Sequence, residues 1–255
     1  MRMTTNPFNL SGKTALVTGA DTGLGQGMAL ALAEAGANIV GVSIVSMDET
    51  AKLIEKTGQK FHGIQANLIS QEPIDGIIAE TLKHGPRIDI LVNNAGIIRR
   101  NDAIDFSEQD WDDVININLK TVFFLSQAVA RNMMADGKGG KIINIASMLS
   151  YQGGIRVPSY TASKSGVAGL TKLMANEWAS KSINVNAIAP GYMATNNTQA
   201  LRQDEARSSE ILGRIPAARW GKPSDLGGAV VFLASAASDY VQGITLPVDG
   251  GWLAR

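Results

Sequence analysis

The chain contains no cysteine and only two histidines, His62 and His84. The absence of cysteine excludes a disulfide framework, a thiolate metal site and a cysteine nucleophile. Both histidines stand among polar residues, and two histidines without cysteine do not make a histidine-rich zinc site of the usual kind. The sequence therefore predicts no metal centre.

Net charge and long apolar runs are also lacking. Lys plus Arg and Asp plus Glu both number 23, so the formal net charge is zero and no basic surface for nucleic acid or anionic lipid is indicated. No apolar run approaches the length of a membrane span, and the segment from Met1 to Leu10 lacks the apolar core of a signal peptide. We expect a cytoplasmic protein whose partners are small molecules rather than nucleic acids or membranes.

What the chain does contain is a regular alternation of apolar segments. Its 255 residues are 45% hydrophobic and 18% charged, which suits a single α/β domain over residues 1–255. Short β-branched runs alternate with longer helical patterns, as in a parallel sheet covered on both faces. This order predicts a Rossmann-type doubly wound sandwich with a seven-stranded parallel sheet, with strands at 14–18, 38–45, 61–65, 88–92, 141–145, 183–188 and 244–248. Helices are predicted at 25–35, 49–57, 74–83 and 157–178, with one or two helices within 107–134 and a helical excursion that covers the substrate at 192–220.

A glycine-rich loop follows the first predicted strand. Gly19, Gly23 and Gly25 give the spacing G-x-x-x-G-x-G directly before a helical segment. Glycines permit a tight turn and a close approach of the backbone to a pyrophosphate, and the N-terminus of the next helix favours its negative charge. The loop and its position between strand and helix predict a dinucleotide-binding site.

A tyrosine and a lysine stand four residues apart in the helix predicted after Pro158. Tyr160 and Lys164 would therefore project from one face of that helix. An ammonium near a phenol stabilises the phenolate and lowers its pKa from about 10, so Tyr160 would serve as a general acid and base near pH 7. Ser147 follows a predicted strand, at the sheet edge where ligands bind. Taken alone, the spacing of Tyr160 and Lys164 could also arise by chance. Lys164 would then be a solvated lysine on the surface of a helix.

Together these motifs resemble the short-chain dehydrogenase/reductase family along essentially the whole chain. The resembling motifs are the glycine loop, Asn93-Asn94-Ala95-Gly96, Asn118, Ser147, Tyr160-x-x-x-Lys164 and Pro190-Gly191. Four stretches are similar to family members that act on deoxy sugar acids, namely Ile97 to Arg100, Ser147 to Val157, Gly191 to Thr198 and Gly250 to Arg255. The resemblance implies an oxidoreductase of carbohydrate metabolism, in the degradation of pectin-derived uronates.

The resemblance implies a role for each catalytic residue. Tyr160 would exchange a proton with the substrate oxygen, and Ser147 would hydrogen-bond the same oxygen. Lys164 would lower the tyrosine pKa and hold the nicotinamide ribose, and Asn118 would hold a water that links Lys164 to solvent. The hydride would be moved by the cofactor, so the protein's task is to place the nicotinamide against the substrate carbon.

The resemblance also implies a cofactor-binding set spread over several segments. The turn after the fourth strand would support the adenosine side, and the segment from Pro190 to Thr195 would close over the nicotinamide. The Met193 backbone and the Thr195 hydroxyl would lie near the carboxamide, and the Asn67 side-chain carbonyl would accept a hydrogen bond from adenine. The expected contacts are Gly19, Asp21, Thr22, Gly23, Leu24, Gly25, Ser43, Asn67, Leu68, Asn94, Ala95, Gly96, Tyr160, Lys164, Pro190, Gly191, Met193 and Thr195.

Cofactor choice depends on the end of the second strand. NAD-preferring members of the family usually have Asp at the position of Ser43, where it binds the ribose hydroxyls, so Ser43 leaves the choice open. NADP-binding members often carry Arg or Lys where this chain has Asp21-Thr22, and no basic residue lies between Asn38 and Thr50. A 2′-phosphate would lack a cation and would face Asp21. We expect NAD, with NADP as the less favoured alternative.

Three arginines flank the predicted catalytic residues and are candidates to bind a substrate carboxylate. Arg99 and Arg100 follow the fourth strand, and Arg156, the first candidate, lies between Ser147 and Tyr160. A charge-assisted arginine–carboxylate bond contributes about 1.5–3 kcal/mol, which favours acids over neutral sugars. Candidates for contacts with sugar hydroxyls are Gln152, Tyr192 and Asn197, whereas simple packing is at least as good an interpretation for Met148, Met193 and Trp220.

Three functions remain open on the sequence. The first is NAD-dependent interconversion of a hydroxyl and a ketone on 2-dehydro-3-deoxy-D-gluconate at C5 or 2-deoxy-D-gluconate at C3. The second is the same chemistry on gluconate or a 3-oxoacyl thioester. The third is a protein that senses the dinucleotide without turnover, which the joint presence of Ser147, Tyr160 and Lys164 argues against. The resemblance also implies a homotetramer.

Overall fold

The computed structural model describes residues 6–255, so the prediction about Met1 to Leu10 falls partly outside the described residues. The strands are Thr14–Thr18 (β1), Asn38–Ser43 (β2), Phe61–Gln65 (β3), Ile90–Asn93 (β4), Gly140–Ile145 (β5), Ile183–Pro190 (β6) and Thr245–Val248 (β7). The α-helices are Gly23–Glu34 (α1), Asp48–Glu55 (α2), Ile74–His84 (α3), Glu108–Ile115 (α4), Thr121–Ala135 (α5), Pro158–Trp178 (α6), Gln199–Gln203 (α7), Glu205–Arg214 (α8) and Gly227–Ala234 (α9). Over this range, no helix combines the length and the apolar composition that a membrane span requires.

All seven strands pair in parallel in one sheet, in the order β3-β2-β1-β4-β5-β6-β7. The chain runs outward from β1 through β2 to β3, then returns to the other side of β1 and continues with β4. The strand order therefore reverses between β1 and β4, and ligands bind at the carboxyl ends of the strands at such a reversal. This confirms the predicted Rossmann-type doubly wound fold.

Apolar side chains cover both faces of the sheet. On one face α1 and α9 contribute buried residues such as Met28 and Val230, and on the other α3, α5 and α6 contribute residues such as Ile77 and Met174. β6 is buried at all 8 of its positions, because a strand covered on both faces needs no polar alternation. The carboxyl edge of the sheet is therefore held by helices on two sides.

The structure departs from the predicted elements at two places. β2 ends at Ser43 rather than residue 45, and the next two residues, Ile44 and Val45, are exposed. Within 107–134, where one or two helices are predicted, the structure has two, α4 and α5, joined by a π-helical turn at Asn116–Lys120. The sequence pattern does not predict α9, because that helix is apolar on every side and begins with two glycines, so it shows no helical period.

The segment between β6 and α9 forms the predicted helical excursion. It comprises a 3₁₀ turn at Asn196–Thr198, then α7 and α8. Ile211 and Ile215 anchor it in a small apolar cluster with Met148 and Trp252. The excursion thereby lies over the carboxyl edge of the sheet.

Candidate active site

A cavity of about 920 Å³ opens at the carboxyl ends of the central strands, a volume typical of ligand sites. The predicted site residues in its wall are Gly19, Asp21, Thr22, Gly23, Leu24, Asn94, Ala95, Gly96, Arg100, Ser147, Gln152, Arg156, Tyr160, Lys164, Gly191, Tyr192, Thr195 and Asn197. The predicted site residues that lie outside the wall are Gly25, Ser43, Asn67, Leu68, Arg99, Asn118, Pro190 and Met193. One cavity therefore unites most of the residues that the sequence singles out.

The end of β5 and the first turns of α6 bring a hydroxyl, a phenol and an ammonium together. Ser147 lies just after β5, and its side chain is within hydrogen-bonding reach of the Tyr160 hydroxyl. Lys164, one turn along α6 from Tyr160, is buried, and its Nζ lies 5.6 Å from the centre of the tyrosine ring. The same Nζ donates a 2.6 Å hydrogen bond to the carbonyl of Ile145, at the end of β5. Strand and helix thus hold the three groups at one wall of the cavity.

The proton affinities of these groups differ from the prediction. Desolvation by the surrounding protein raises the pKa of Tyr160, and the hydrogen bond with Ser147 and the charge of Arg100 only partly offset this effect. Burial lowers the pKa of Lys164 to about 8. The prediction that Lys164 brings the tyrosine pKa down is therefore wrong for this structure, because sequence spacing gives proximity but not desolvation. Tyr160 is protonated at neutral pH.

Asn118 lies in the π-helical turn, fully buried beneath the turn that follows β4. Its Oδ1 accepts a 2.9 Å hydrogen bond from the Ile97 amide, and its Nδ2 donates one of 2.9 Å to the Ile97 carbonyl. Nδ2 also donates to Ser163 Oγ, on α6, at 3.4 Å. The side chain therefore fastens the exit of β4 to the helix that contains Tyr160 and Lys164, in a helical irregularity of a kind frequent at functional sites.

The loop after β1 forms a backbone cradle at the N-terminus of α1. Gly19 has a φ of +65°, and a Cβ at this position would lie 2.8 Å from Asn94 Nδ2. A Cβ at Gly25 would lie 1.9 Å from the Gly19 carbonyl oxygen. The turn therefore requires glycine at both positions. The first backbone amides of α1 have no hydrogen-bond partner within the helix, and they lie beside this concave turn. These residues fit the pyrophosphate of a dinucleotide.

The loop after β6 faces this cradle across the cavity. The Gly191 amide donates a 3.1 Å hydrogen bond to the Val248 carbonyl, which fixes the start of the loop. Thr195 lies so close to Gly23 that a Cβ at that glycine would be 3.6 Å from the Thr195 methyl group. Met193 is buried and anchors the loop in the core. Loops from two strand ends thus approach each other over the position predicted for the nicotinamide.

At the far end of the cradle, the Ser43 hydroxyl donates a 2.7 Å hydrogen bond to Asp21 Oδ1. The Asp21 carboxylate therefore reaches the end of β2, where an acidic residue binds the ribose hydroxyls in dinucleotide folds. Nearby, Asn67 Oδ1 accepts a 3.1 Å hydrogen bond from the Ile69 amide, and Leu68 is buried. The contact of Asn67 with adenine stays a prediction.

Two of the three predicted arginines are already paired with carboxylates. Arg99 lies outside the cavity and contacts Asp110 and Asp113, each at 3.3 Å. Arg156, which lines the cavity, contacts Asp102 at 3.0 Å, and its side chain is 59% exposed. The side chains of Arg99 and of the next residue, Arg100, therefore point in different directions. The sequence alone could not predict this difference.

Arg100 has a different environment from its neighbour. It lines the cavity, and its guanidinium donates a 3.2 Å hydrogen bond to the carbonyl of Asn197 in the excursion. No carboxylate within residues 6–255 forms an ion pair with it. Its charge acts on Tyr160, so it lies near the reacting centre. Of the three arginines predicted from the sequence, Arg100 is therefore the one that lines the cavity near Tyr160 without an ion pair among the described residues.

Comparison with known proteins gives the family of this chain. A profile of short-chain dehydrogenases and reductases, described as Enoyl-(Acyl carrier protein) reductase, matches residues 19–253. This range begins at the glycine cradle and contains Ser147, Tyr160 and Lys164. The chain belongs to the short-chain dehydrogenase/reductase family.

Relatives match the dehydrogenase over nearly its whole length. The 2-dehydro-3-deoxy-D-gluconate 5-dehydrogenase of Escherichia coli (strain K12) is 65% identical over 253 residues, which cover 99% of this chain and 100% of that protein. A crystal structure of an Agrobacterium tumefaciens protein named as a 2-deoxy-D-gluconate 3-dehydrogenase, with bound NADP, is 58% identical and has a TM-score of 0.93 over 98% of this chain and 100% of that one. A gluconate 5-dehydrogenase from Burkholderia cenocepacia, in complex with NADP and tartrate, is 42% identical with a TM-score of 0.91 over 98% of both chains.

Two residues of the cavity wall beside Gln152, namely Arg214 and Trp252, were missed by the sequence analysis. The Arg214 guanidinium lies 4.0 Å above the ring of Trp252, and both line the cavity. Gln152 Oε1 accepts hydrogen bonds from Trp252 Nε1 at 3.1 Å and from Arg214 at 3.4 Å. Tyr192 meets the same indole edge to face, with centroids 4.8 Å apart. The signal available in the sequence was the similarity of the stretch from Gly250 to Arg255 to family members that act on deoxy sugar acids. That similarity did not show which side chains are in contact.

Arg255 supports this part of the cavity wall through hydrogen bonds to α8. Its guanidinium donates to the carbonyls of Gly213, at 2.9 Å, and Arg214, at 3.2 Å. These carbonyls lie in the last turn of α8, where no intrahelical partner exists. Met148 and Trp220 pack around Trp252 in the same apolar cluster, in agreement with the packing interpretation.

Proposed function

We propose that this dehydrogenase interconverts a secondary hydroxyl and a ketone on a deoxy sugar acid, with NAD as its cofactor. The substrate would be 2-dehydro-3-deoxy-D-gluconate at C5 or 2-deoxy-D-gluconate at C3. The observation that supports this proposal most is the position of the protonated Tyr160 phenol, with Ser147 and Lys164 beside it, between the glycine cradle and a wall that contains Arg100. The full-length similarity to sugar-acid dehydrogenases supports the substrate class.

The proposed chemistry divides between cofactor and chain. Bound NADH would supply the hydride during reduction, and bound NAD⁺ would accept it during oxidation. Tyr160, kept protonated by desolvation, donates its phenolic proton to the carbonyl oxygen during reduction and is left as the phenolate; in the oxidation direction the phenolate takes the proton of the substrate hydroxyl. Ser147 donates a hydrogen bond to the same oxygen, which positions it and stabilises the negative charge that develops there. Lys164, with a pKa of about 8, gains and loses protons in the working pH range and replenishes the phenol, with Asn118 holding the connecting water.

The choice of NAD is supported by Asp21. Its carboxylate, hydrogen-bonded by Ser43, offers acceptors to the two ribose hydroxyls and would repel a 2′-phosphate. The crystallised relatives from A. tumefaciens and B. cenocepacia hold NADP, which makes NADP the competing cofactor. The proposal therefore depends on this carboxylate.

Selection of an acidic substrate is assigned to Arg100. Its guanidinium lines the cavity near Tyr160 without an ion-pair partner among the described residues, whereas Arg156 is engaged with Asp102 at the cavity mouth. A substrate carboxylate at Arg100 would form a charge-assisted hydrogen bond. Gln152, Tyr192 and Asn197, which also line the cavity, would contact the sugar hydroxyls.

We also propose that the enzyme is a homotetramer. The outer surfaces of α5 and α6 form an apolar groove of about 510 Å³, with Phe123, Met134, Leu170, Leu173 and Trp178 in its wall. A second copy that packs its own α5 and α6 against this groove would bury these side chains and form a dimer, and two such dimers would pair through the C-terminal strand region to give the tetramer. Light scattering on purified protein tests the oligomeric state, and replacement of Leu173, which is 45% exposed, by Glu should shift it toward smaller species.

The function is tested by the absorbance of the reduced nicotinamide. Purified protein is offered NAD or NADP with the two deoxy sugar acids, gluconate and a 3-oxoacyl thioester, and Tyr160→Phe serves as the control. Turnover of a deoxy sugar acid with NAD, lost in the Phe variant, supports the proposal. Turnover of gluconate alone would favour the B. cenocepacia relative's named activity, and turnover of the thioester with NADPH alone would overturn substrate and cofactor. NADH binding without any turnover would indicate a dinucleotide sensor.

A further inference from the structure

The two histidines of the chain, His62 and His84, lie next to each other in the structure, and neither lines the cavity. His62 is in β3, the edge strand of the sheet, and Glu80 and His84 lie one turn apart on α3, which packs beside it. An i, i+4 spacing places Glu80 and His84 on the same face of the helix. The two imidazole rings are stacked, with centroids 3.5 Å apart and an interplanar angle of 15°.

The two imidazoles share one carboxylate oxygen. Glu80 Oε1 lies 3.3 Å from His62 Nε2 and 3.2 Å from His84 Nε2, and the three atoms all lie within 4.8 Å of one another. Tetrahedral zinc has ligand bonds of about 2.0–2.1 Å, so that neighbouring ligand atoms are roughly 3.3–3.4 Å apart. The two separations from the carboxylate oxygen are therefore close to those between neighbouring zinc ligands, and they are also the lengths of ordinary N···O hydrogen bonds.

We propose that His62, Glu80 and His84 form a zinc site that links the edge strand β3 to helix α3, with water as the fourth ligand. Two imidazoles and one carboxylate with an open position are an established zinc donor set, and imidazole also suits neighbouring divalent transition metals. The sequence predicts no metal centre because the three ligands come together only through the packing of α3 on β3.

Zinc would require one rearrangement. A metal lies in the plane of each imidazole that binds it, whereas stacked rings have parallel planes, so one ring must turn. His84 is the last residue of α3, and its side chain is 40% exposed, so it is the ring with room to move. Lys83 Nζ contacts Glu80 Oε2 at 2.7 Å, which leaves Oε1 for the metal. Lys83 is also the cation nearest to the site, and its charge opposes zinc.

Zinc at this position would stabilise the edge of the sheet. The ligands come from two elements that unfolding separates, so binding to the folded chain alone raises its stability by mass action. The site is independent of the proposed catalysis, because no ligand lies in the cavity wall. The dehydrogenase reaction should therefore proceed with metal-free protein.

Isothermal titration calorimetry with ZnCl2 on chelator-treated full-length protein without a polyhistidine tag tests the site. We expect one saturable site per chain and a higher Tm with zinc. His62→Ala, Glu80→Gln and His84→Ala should each weaken binding at least about 10-fold, since each removes one of three ligands. Lys83→Met is the matched control, because it changes the same helix turn and removes only the competing cation, so zinc affinity should be kept or increased.

Two results would overturn the proposal. One is the absence of saturable zinc binding to the wild-type chain. The other is unchanged zinc affinity in the double variant His62→Ala/His84→Ala, which would show that zinc binds elsewhere. Circular dichroism and NADH binding verify that each variant is folded, so a loss of zinc binding is attributed to the ligands.

Discussion

The Ser43 hydroxyl and the Asp21 carboxylate are joined by a 2.7 Å hydrogen bond that connects the end of β2 to the glycine loop. The sequence shows a serine at the end of β2 where an acid is expected, and it places Asp21 in the loop nearby. The structure joins the two, so that the serine orients the Asp21 carboxylate. The proposed preference for NAD rests on this relationship.

Replacing Asp21 with Asn should weaken the preference for NAD. The amide keeps the shape of the side chain but removes the charge that repels a 2′-phosphate. We expect the ratio of kcat/KM with NAD to kcat/KM with NADP to fall about 10-fold, equivalent to roughly 1.4 kcal/mol. Ser43→Ala is the control. It keeps the Asp21 charge and removes only the hydrogen bond that orients the carboxylate, so it should change the ratio less. An unchanged ratio in Asp21→Asn would contradict the proposed role.

Replacing Tyr160 with Phe should abolish most turnover while leaving cofactor binding intact. The phenyl ring keeps the packing and removes the proton that is transferred, and general acid–base catalysis contributes about 10²–10⁴-fold. We expect kcat to fall by about that factor. NADH affinity, measured by fluorescence titration, should stay near the wild-type value. If kcat stayed within a few-fold of wild type, another group would be the proton donor.

Lys164 should impose a pH dependence on stability. Its pKa is about 8 in the folded chain and 10.5 ordinarily, so below pH 8 the ammonium is charged in both states and its burial opposes folding. Between these pKa values the unfolded chain binds more protons, so the contribution of Lys164 to stability increases with pH. In Lys164→Met this contribution is absent. The free energy of unfolding of the variant minus that of wild type should be most positive below pH 8.

Urea unfolding at a series of pH values measures this difference. It should decrease as the pH rises from 8 toward 10.5, by at most about 1.4 kcal/mol per pH unit. A difference that is constant with pH would mean that Lys164 titrates alike in the folded and unfolded chains.

Replacing Arg100 with Ala should raise KM for a sugar acid. The lost charge-assisted hydrogen bond is worth about 1.5–3 kcal/mol, equivalent to roughly 10- to 150-fold. KM for the dinucleotide should change little, because Arg100 lies toward the excursion rather than at the glycine cradle. Arg99→Ala is the matched control, since that arginine is paired with Asp110 and Asp113 outside the cavity. Equal effects of the two substitutions would assign the carboxylate to another residue.

The sequence predicts the sheet well because its strands are buried on both faces and therefore appear as continuous apolar runs, as in β6. The cradle is equally visible, because Gly19 and Gly25 meet backbone requirements that other residues cannot. α9 is not visible, because a helix that is apolar on every side has no period.

Side-chain surroundings at the site could not be predicted in the same way. The spacing of Tyr160 and Lys164 gives their common face, but their pKa values depend on desolvation by the surrounding fold. The pairing of Arg99 with α4 and the stacking of Arg214 on Trp252 depend on contacts between segments far apart in sequence. Local patterns contain no information about such contacts.

The hydrogen bonds from Arg255 brace the last turn of α8, a helix whose residues Arg207, Ile211 and Arg214 line the cavity. Removal of the Arg255 side chain would therefore loosen this helix while leaving the sheet and the cradle untouched. Such a variant would bind the dinucleotide normally and lose affinity only for the proposed sugar-acid substrate.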